Sequence, residues 1–299
     1  MDVTRSAGVE LLVDAQAMLG ECVLWCEQAQ ALYWTDIERA RLFRWSEADG
    51  LLREWQLPER LGSFALCRRP TRLLLGLASG IALFDMESGA LSAIVAVEPE
   101  HTITRINDGR CDAQGRFVFG MFNAERARIG GFYRVGPGLA IERLVLPAAT
   151  VANSIAFSPD GSTIYFSDSP TREIHCADYH ADGRIGAPRL FARLASNEGY
   201  PDGSTVDADG GLWNAQWDGG CVVRYDAAGV ATARIALPAT RPTCVAFGGA
   251  GFDRLFVSSA RIGLDAQALR DQPAAGGVFA TRPGRRGLPE HRFATSLRP

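Results

Sequence analysis

The chain has 299 residues, 47% of them apolar, and a formal net charge of −3. That length can bury a large core, as one big β domain or two smaller domains, and the charge argues against a nucleic-acid surface or a membrane patch. All 31 basic residues are arginine, which excludes Schiff-base and P-loop lysine chemistry.

Taken in order, the chain opens with an extended stretch, Gly8 to Asp14, and then repeats one pattern six times. Each copy has a polar loop, a short apolar strand, a turn with Asp and Gly, and further strands rich in aromatics. The first copy runs through Ala31-Leu32-Tyr33-Trp34-Thr35-Asp36, and the second through Arg72-Leu73-Leu74-Leu75-Gly76. The third has Asp112-Ala113-Gln114-Gly115 before Arg116-Phe117-Val118-Phe119, and the fourth has Thr163-Ile164-Tyr165-Phe166-Ser167-Asp168. Asp207-Ala208-Asp209-Gly210-Gly211-Leu212-Trp213 marks the fifth, and Arg254-Leu255-Phe256-Val257 the sixth. A period of roughly forty to fifty residues belongs to four-stranded propeller blades. Asp-Gly turns between alternating strands are hairpin signals. Helical periodicity is weak throughout; Leu264 to Asp271 offers at most a turn of helix inside the last blade.

The expected fold is therefore all-β: a six-bladed β-propeller with four-stranded blades, in a single domain spanning 1–299. One such sheet cannot bury both of its faces, so each blade must stack on its neighbours and the ring must close. Gly8 to Asp14 is predicted to pair into the last blade as its outer strand. His291-Arg292-Phe293-Ala294 is expected beside it.

In a propeller, the loop entering the innermost strand of each blade opens at one end of the central channel. Aligning the copies on their aromatic strands and reading back about ten to twelve residues gives the equivalent positions. These are Glu21, Asn153 and Asp202 in blades one, four and five, and the stretch Arg105 to Gly109 in blade three. Taken singly, each has a plain explanation; Asp202, for example, sits in a Pro-Asp-Gly turn. Together they offer three oxygen donors, two of them anionic, which suits a hard divalent cation. The set lacks His and Cys, so a structural zinc site is not expected.

The motifs resemble the family of senescence marker protein 30, regucalcin and gluconolactonase over nearly the whole chain, from about Leu19 to the last blade. Arg105-Ile106-Asn107-Asp108-Gly109, Asn153-Ser154-Ile155-Ala156-Phe157-Ser158 and Pro201-Asp202-Gly203 carry the likeness, in that order. The resemblance implies a six-bladed propeller that binds one divalent metal ion (Ca²⁺, Mn²⁺, Mg²⁺, Zn²⁺ or Fe²⁺) and hydrolyses sugar lactones. It implies metal ligands at Glu21, Asn153 and Asp202, and a catalytic role for Asp202 as the base that takes a proton from water. Substrate contacts are implied at Arg105, Asn107 and Glu125. Two departures stand out: Cys22-Val23 where the family commonly has Gly-Pro, and Met121-Phe122-Asn123-Ala124-Glu125 in place of a Gly-Thr-Met type of stretch. The second makes Asn123 a rival to Glu125. Cys22 has two readings, as a soft neighbour of the metal or as a small buried apolar residue. The four histidines lie away from these loops in sequence, so a His-based triad is not expected.

The expected reaction is metal-dependent hydrolysis of an aldonolactone or aldarolactone, a small-molecule substrate. Alternatives are a calcium-binding regulatory propeller or a protein-binding scaffold without turnover, and a six-bladed hydrolase of the paraoxonase or strictosidine-synthase-like kind. Seven scattered cysteines with no C-x-x-C pair, and no long apolar segment in Met1 to Glu10, lead to the expectation of a cytoplasmic protein with reduced thiols.

Overall fold

Alternation along the strands decides the architecture. In Ala31–Asp36, Ala31 and Tyr33 enter one apolar cluster while Leu32 and Trp34 enter another, as expected where successive side chains point to opposite faces. Both faces of the sheet are therefore apolar and both need cover. The computed structural model, which describes residues 8–101 and 103–296, supplies it with five more sheets of the same kind. Each of the six apolar clusters fills the gap between two neighbouring sheets. Trp25 stacking on Phe256 at 5.5 Å joins the first blade to the last. The inner strands contact one another in succession around a closed ring. The protein is a six-bladed β-propeller.

The inner strands are Gly20–Cys26, Leu61–Leu66, Thr104–Cys111, Ala152–Phe157, Tyr200–Val206 and Pro242–Gly248. Five blades are built from four consecutive strands. The sixth takes its outer strand from Glu10–Val13, which pairs antiparallel with Val278–Thr281 through Glu10–Ala280 and Leu11–Phe279. This joins the two ends of the ring, as expected from the sequence.

The Asp-x-x-Gly hairpins have a common mechanism. Asp112 Oδ1 accepts from the backbone N–H groups of Gln114 and Arg116, and Asp207 Oδ1 from those of Asp209 and Gly211. Gly115 and Gly210 adopt φ of 76° and 82°, a left-handed conformation that glycine takes at little cost.

One weak reading is sharpened and one expectation is corrected. Ala266–Asp271 is a short helix; Asp265 caps it by accepting from the Ala268 N–H at 2.8 Å, a local signal that outweighs the weak periodicity. His291 to Ala294 does not lie beside the N-terminal strand, whose neighbour is Val278–Thr281. The segment instead crosses to blades two and three, where Phe293 bridges Cys67 and accepts no solvent contact, and the Ala294 N–H donates to the Gly115 carbonyl. The gain from burying a whole phenylalanine side chain, about 2 kcal/mol, favours that site over a solvated edge. On the way, Glu290 meets Arg110 of an inner strand at 2.6 Å.

Candidate active site

Every inner strand has a register shift, and in blades one, three, four and five it falls at or next to the position read from the sequence as channel-facing. The shifts fall between Glu21 and Leu24, Leu61 and Ser63, Ile106 and Gly109, Asn153 and Ala156, Pro201 and Ser204, and Pro242 and Val245. A bulge bends its strand and re-aims the side chains around it. Cys22 and Ser154, each next to a predicted ligand, take φ of 49° and 61°. In blades one and four a carboxylate also holds the entering loop: Asp36 accepts from the Met18 and Leu19 N–H groups, and Asp168 from those of Thr150 and Val151.

These strands open on a cavity of about 640 Å³ at the mouth of the channel, within the range of small-molecule sites. Glu21, Arg105, Asn107, Asn153 and Asp202 all line it. One hydrogen-bonded chain orders the polar floor. Arg105 Nη1 donates to Asn107 Oδ1 at 2.7 Å, and Asn107 Nδ2 donates to Asn153 Oδ1 and to the Ala152 carbonyl, both at 3.0 Å. Asn153 Nδ2 donates to Ser169 Oγ, which donates to the Pro201 carbonyl beside Asp202. The chain fixes the amide orientations: Asn153 keeps a carbonyl lone pair free, and both amide hydrogens of Asn107 are engaged within the protein. Arg105 also lies 4.4 Å from the centroid of the Phe122 ring.

Electrostatics set this floor apart. Burial, then the charge of Asp108, pushes the Glu21 carboxyl up to about 8. Burial and then Glu21 hold Asp202 well above the usual carboxylate range, and the two carboxyls are close enough to share a proton. Burial lowers the Arg105 guanidinium to about 10, still charged at neutral pH. Crowded carboxylates with raised pKa values are the mark of a site arranged for a bound cation or for acid–base work. Hard oxygen donors, two of them anionic, fit a dication, which would reverse the repulsion between Glu21 and Asp202. Among the described residues, no three His, Cys, Asp or Glu side chains cluster as metal ligands; the donor set is two carboxylates and one amide oxygen.

The other predicted residues divide. Glu125 is exposed on the rim loop and does not line the cavity, whereas Asn123 does. The physical reason is the loop itself: Asn123 Oδ1 accepts from the Glu125 N–H and Nδ2 donates to the Ala127 carbonyl, turning the backbone so that Glu125 faces solvent. Cys22 points at blade two, where its sulfur accepts from the Phe64 N–H at 3.3 Å, and burial pushes its thiol far up. That is the apolar reading. None of the histidines lines the cavity. Asp108 had no role assigned from sequence. It accepts from the Ile155 N–H at 2.7 Å, so it ties blade three to blade four beneath the floor, and burial raises it to about 6. Its signal was present in the Asn-Asp-Gly of the third-blade motif.

Comparison with known proteins identifies the family. The family model described as SMP-30/Gluconolactonase/LRE-like region matches residues 19–261. The chain belongs to this family. It is 53% identical to the L-arabinolactonase of Azospirillum brasilense over 96% of both chains. It is 38% identical to the 6-deoxy-6-sulfogluconolactonase of Pseudomonas putida, over 96% of this chain and 98% of that one. Among solved structures, regucalcin from Agrobacterium tumefaciens, described as a calcium-binding protein, superposes with a TM-score of 0.91 at 29% identity, covering 97% of this chain and 98% of that one.

Proposed function

We propose that this protein hydrolyses a sugar lactone, an aldonolactone or aldarolactone, to the open-chain sugar acid. The observation that carries the reading is one cavity uniting Glu21, Asn153, Asp202 and Arg105 in a chain 53% identical to an L-arabinolactonase. In this reading Glu21, Asn153 and Asp202 hold one divalent cation. When bound, that cation supplies Lewis-acid polarisation of the lactone carbonyl and positive charge for the developing oxyanion.

The protein's own groups do the rest. Asp202 accepts a proton from the attacking water as its oxygen bonds to the carbonyl carbon. The bond from that carbon to the ring oxygen then breaks, and the leaving oxygen takes the proton back from Asp202 to become the hydroxyl of the product acid. Arg105 presents its remaining N–H groups to the substrate, and Asn107 keeps a lone pair for a hydroxyl; both fix which face meets the water. Seven free, buried cysteines fit the reducing conditions of a cytoplasmic enzyme.

The test is a lactone panel beginning with pentono-1,4-lactones, run before and after chelation and with Asp202→Asn. Expected is a loss of turnover by a factor of about 10²–10⁴ on Asp202→Asn, and recovery after chelation when a divalent ion is returned. Hydrolysis unchanged by both treatments refutes the mechanism. A chain that binds calcium but opens no lactone is instead the regulatory propeller.

A further inference from the structure

Besides the polar floor, the cavity has a wall of different chemistry. Tyr200 and Trp217 face each other directly on adjacent antiparallel strands, and both line the cavity. Cross-strand partners share a face of the sheet, so the two rings stand side by side. Behind each ring lies a guanidinium that does not line the cavity. Arg172 sits 4.1 Å from the Tyr200 centroid and Arg241 sits 5.0 Å from the Trp217 centroid.

Both guanidinium groups are themselves tied down. Arg172 donates to the carbonyls of Ala195 and Gly199, at 3.1 and 3.2 Å. Arg241 donates to Asp218 Oδ1 at 2.6 Å and to the Ile262 carbonyl. One face of each ring is therefore covered by a fixed cation, and the cavity meets what is left. Pro170 and Leu19 extend the apolar surface.

We propose that Tyr200 and Trp217 form the platform on which the lactone ring lies, with Arg172 and Arg241 as positioning residues that hold it. The proposal rests on the lactonase reading above and adds how the substrate is recognised. A sugar lactone carries hydroxyls that need hydrogen bonds and a flat C–H face that needs apolar contact; the floor offers the first and the wall the second. Ring faces carry partial negative charge and C–H hydrogens partial positive charge, so the two attract beyond simple area burial. Tyr and Trp provide this surface with few rotors to freeze. Hydrolysis opens the ring into a flexible chain with no flat face. The platform therefore favours the closed lactone over its product, which eases product departure.

The experiment is titration calorimetry with two probes: L-arabinono-1,4-lactam, a ring that resists hydrolysis, and L-arabinonate, the open chain. Each is titrated into wild type, Trp217→Leu, Trp217→Phe and Arg241→Gln, with circular dichroism as the check on folding. Expected is at least a tenfold loss of lactam affinity in Trp217→Leu, with arabinonate affinity changed less than threefold. Trp217→Phe should keep lactam affinity within about threefold. Arg241→Gln, which leaves the cavity lining intact, should weaken the lactam several-fold and spare arabinonate. Equal losses for both probes, no loss for either, or a wild type that ignores the lactam would each overturn the platform. Should Trp217→Leu fail to fold, Arg241→Gln decides: unchanged lactam affinity there overturns the positioning role. A wild type that binds lactam but opens no lactone refutes the lactonase reading alone. Normal hydrolysis together with normal lactam binding in Trp217→Leu refutes the platform alone.

Discussion

Replacing Glu21 by glutamine should make the metal-free protein more stable. In the folded chain the Glu21 carboxyl is pushed up to about 8, from 4.5 for a free side chain, by burial and then by Asp108. The folded state thus holds a proton that the unfolded state releases between those two values. Stability contributed by this group is intact below about pH 4.5 and falls as pH rises towards 8. At pH 7 the loss is (7 − 4.5) × ~1.36, or about 3 kcal/mol; at pH 5 it is under about 1 kcal/mol. Glutamine has the same shape and keeps an oxygen to accept from the Cys22 N–H, which Glu21 Oε2 now does at 3.1 Å, but it cannot ionise. Chelated Glu21→Gln should therefore melt about 6 °C above chelated wild type at pH 7, taking roughly 2 °C per kcal/mol for a chain of this size. The gap should nearly close at pH 5. Adding a divalent cation should raise the wild-type midpoint and move the variant far less. Differential scanning calorimetry in chelator at both pH values is the assay. If Glu21→Gln is no more stable than wild type at pH 7, the two carboxylates do not oppose folding and the electrostatic case for a cation site collapses.

Arg105→Ala should raise KM about 30-fold with a smaller change in kcat, the result of losing roughly 2 kcal/mol of charged hydrogen bonding; steady-state kinetics on the best lactone of the panel measure this, and an unchanged KM removes Arg105 from substrate binding. Glu125→Ala should leave both constants within about twofold, because that side chain is exposed on the rim; a large KM effect would show that the rim loop folds over the substrate. Asp207→Asn should cost about 3 kcal/mol, since it strands the buried Arg224 guanidinium that now donates to Asp207 at 2.7 Å. For the acid side, burial alone would raise the Asp207 carboxyl, but hydrogen bonds from Arg224, Trp213 and Gly211 outweigh it and the net shift is downward from 3.8. Its contribution is thus complete above about pH 4 and disappears as pH falls through the lowered value. Wild type should show a steep acid loss of stability there that Asp207→Asn lacks, read by unfolding midpoints from pH 5 to pH 2.

The chain alone was enough for the architecture, because blade structure is local. Period-two alternation in Ala31–Asp36 and the Asp-x-x-Gly turns at Asp112 and Asp207 operate within a few residues, and stacking follows from apolar faces that a single sheet cannot cover. The same repeat put Glu21, Asn153 and Asp202 at equivalent positions, and the fold brings them to one cavity. What lay beyond the sequence depended on contacts between distant segments. The route of His291 to Ala294 follows from where Phe293 and Glu290 find partners, in blades two and three. The outward turn of Glu125 follows from how Asn123 bonds its loop, and the brace behind Trp217 from an arginine in the next blade. Spacing along a chain fixes which side chains share a strand face. Which of them meet across a ring is settled only when every blade is packed, because that choice is made by burial and charge pairing over the whole circle.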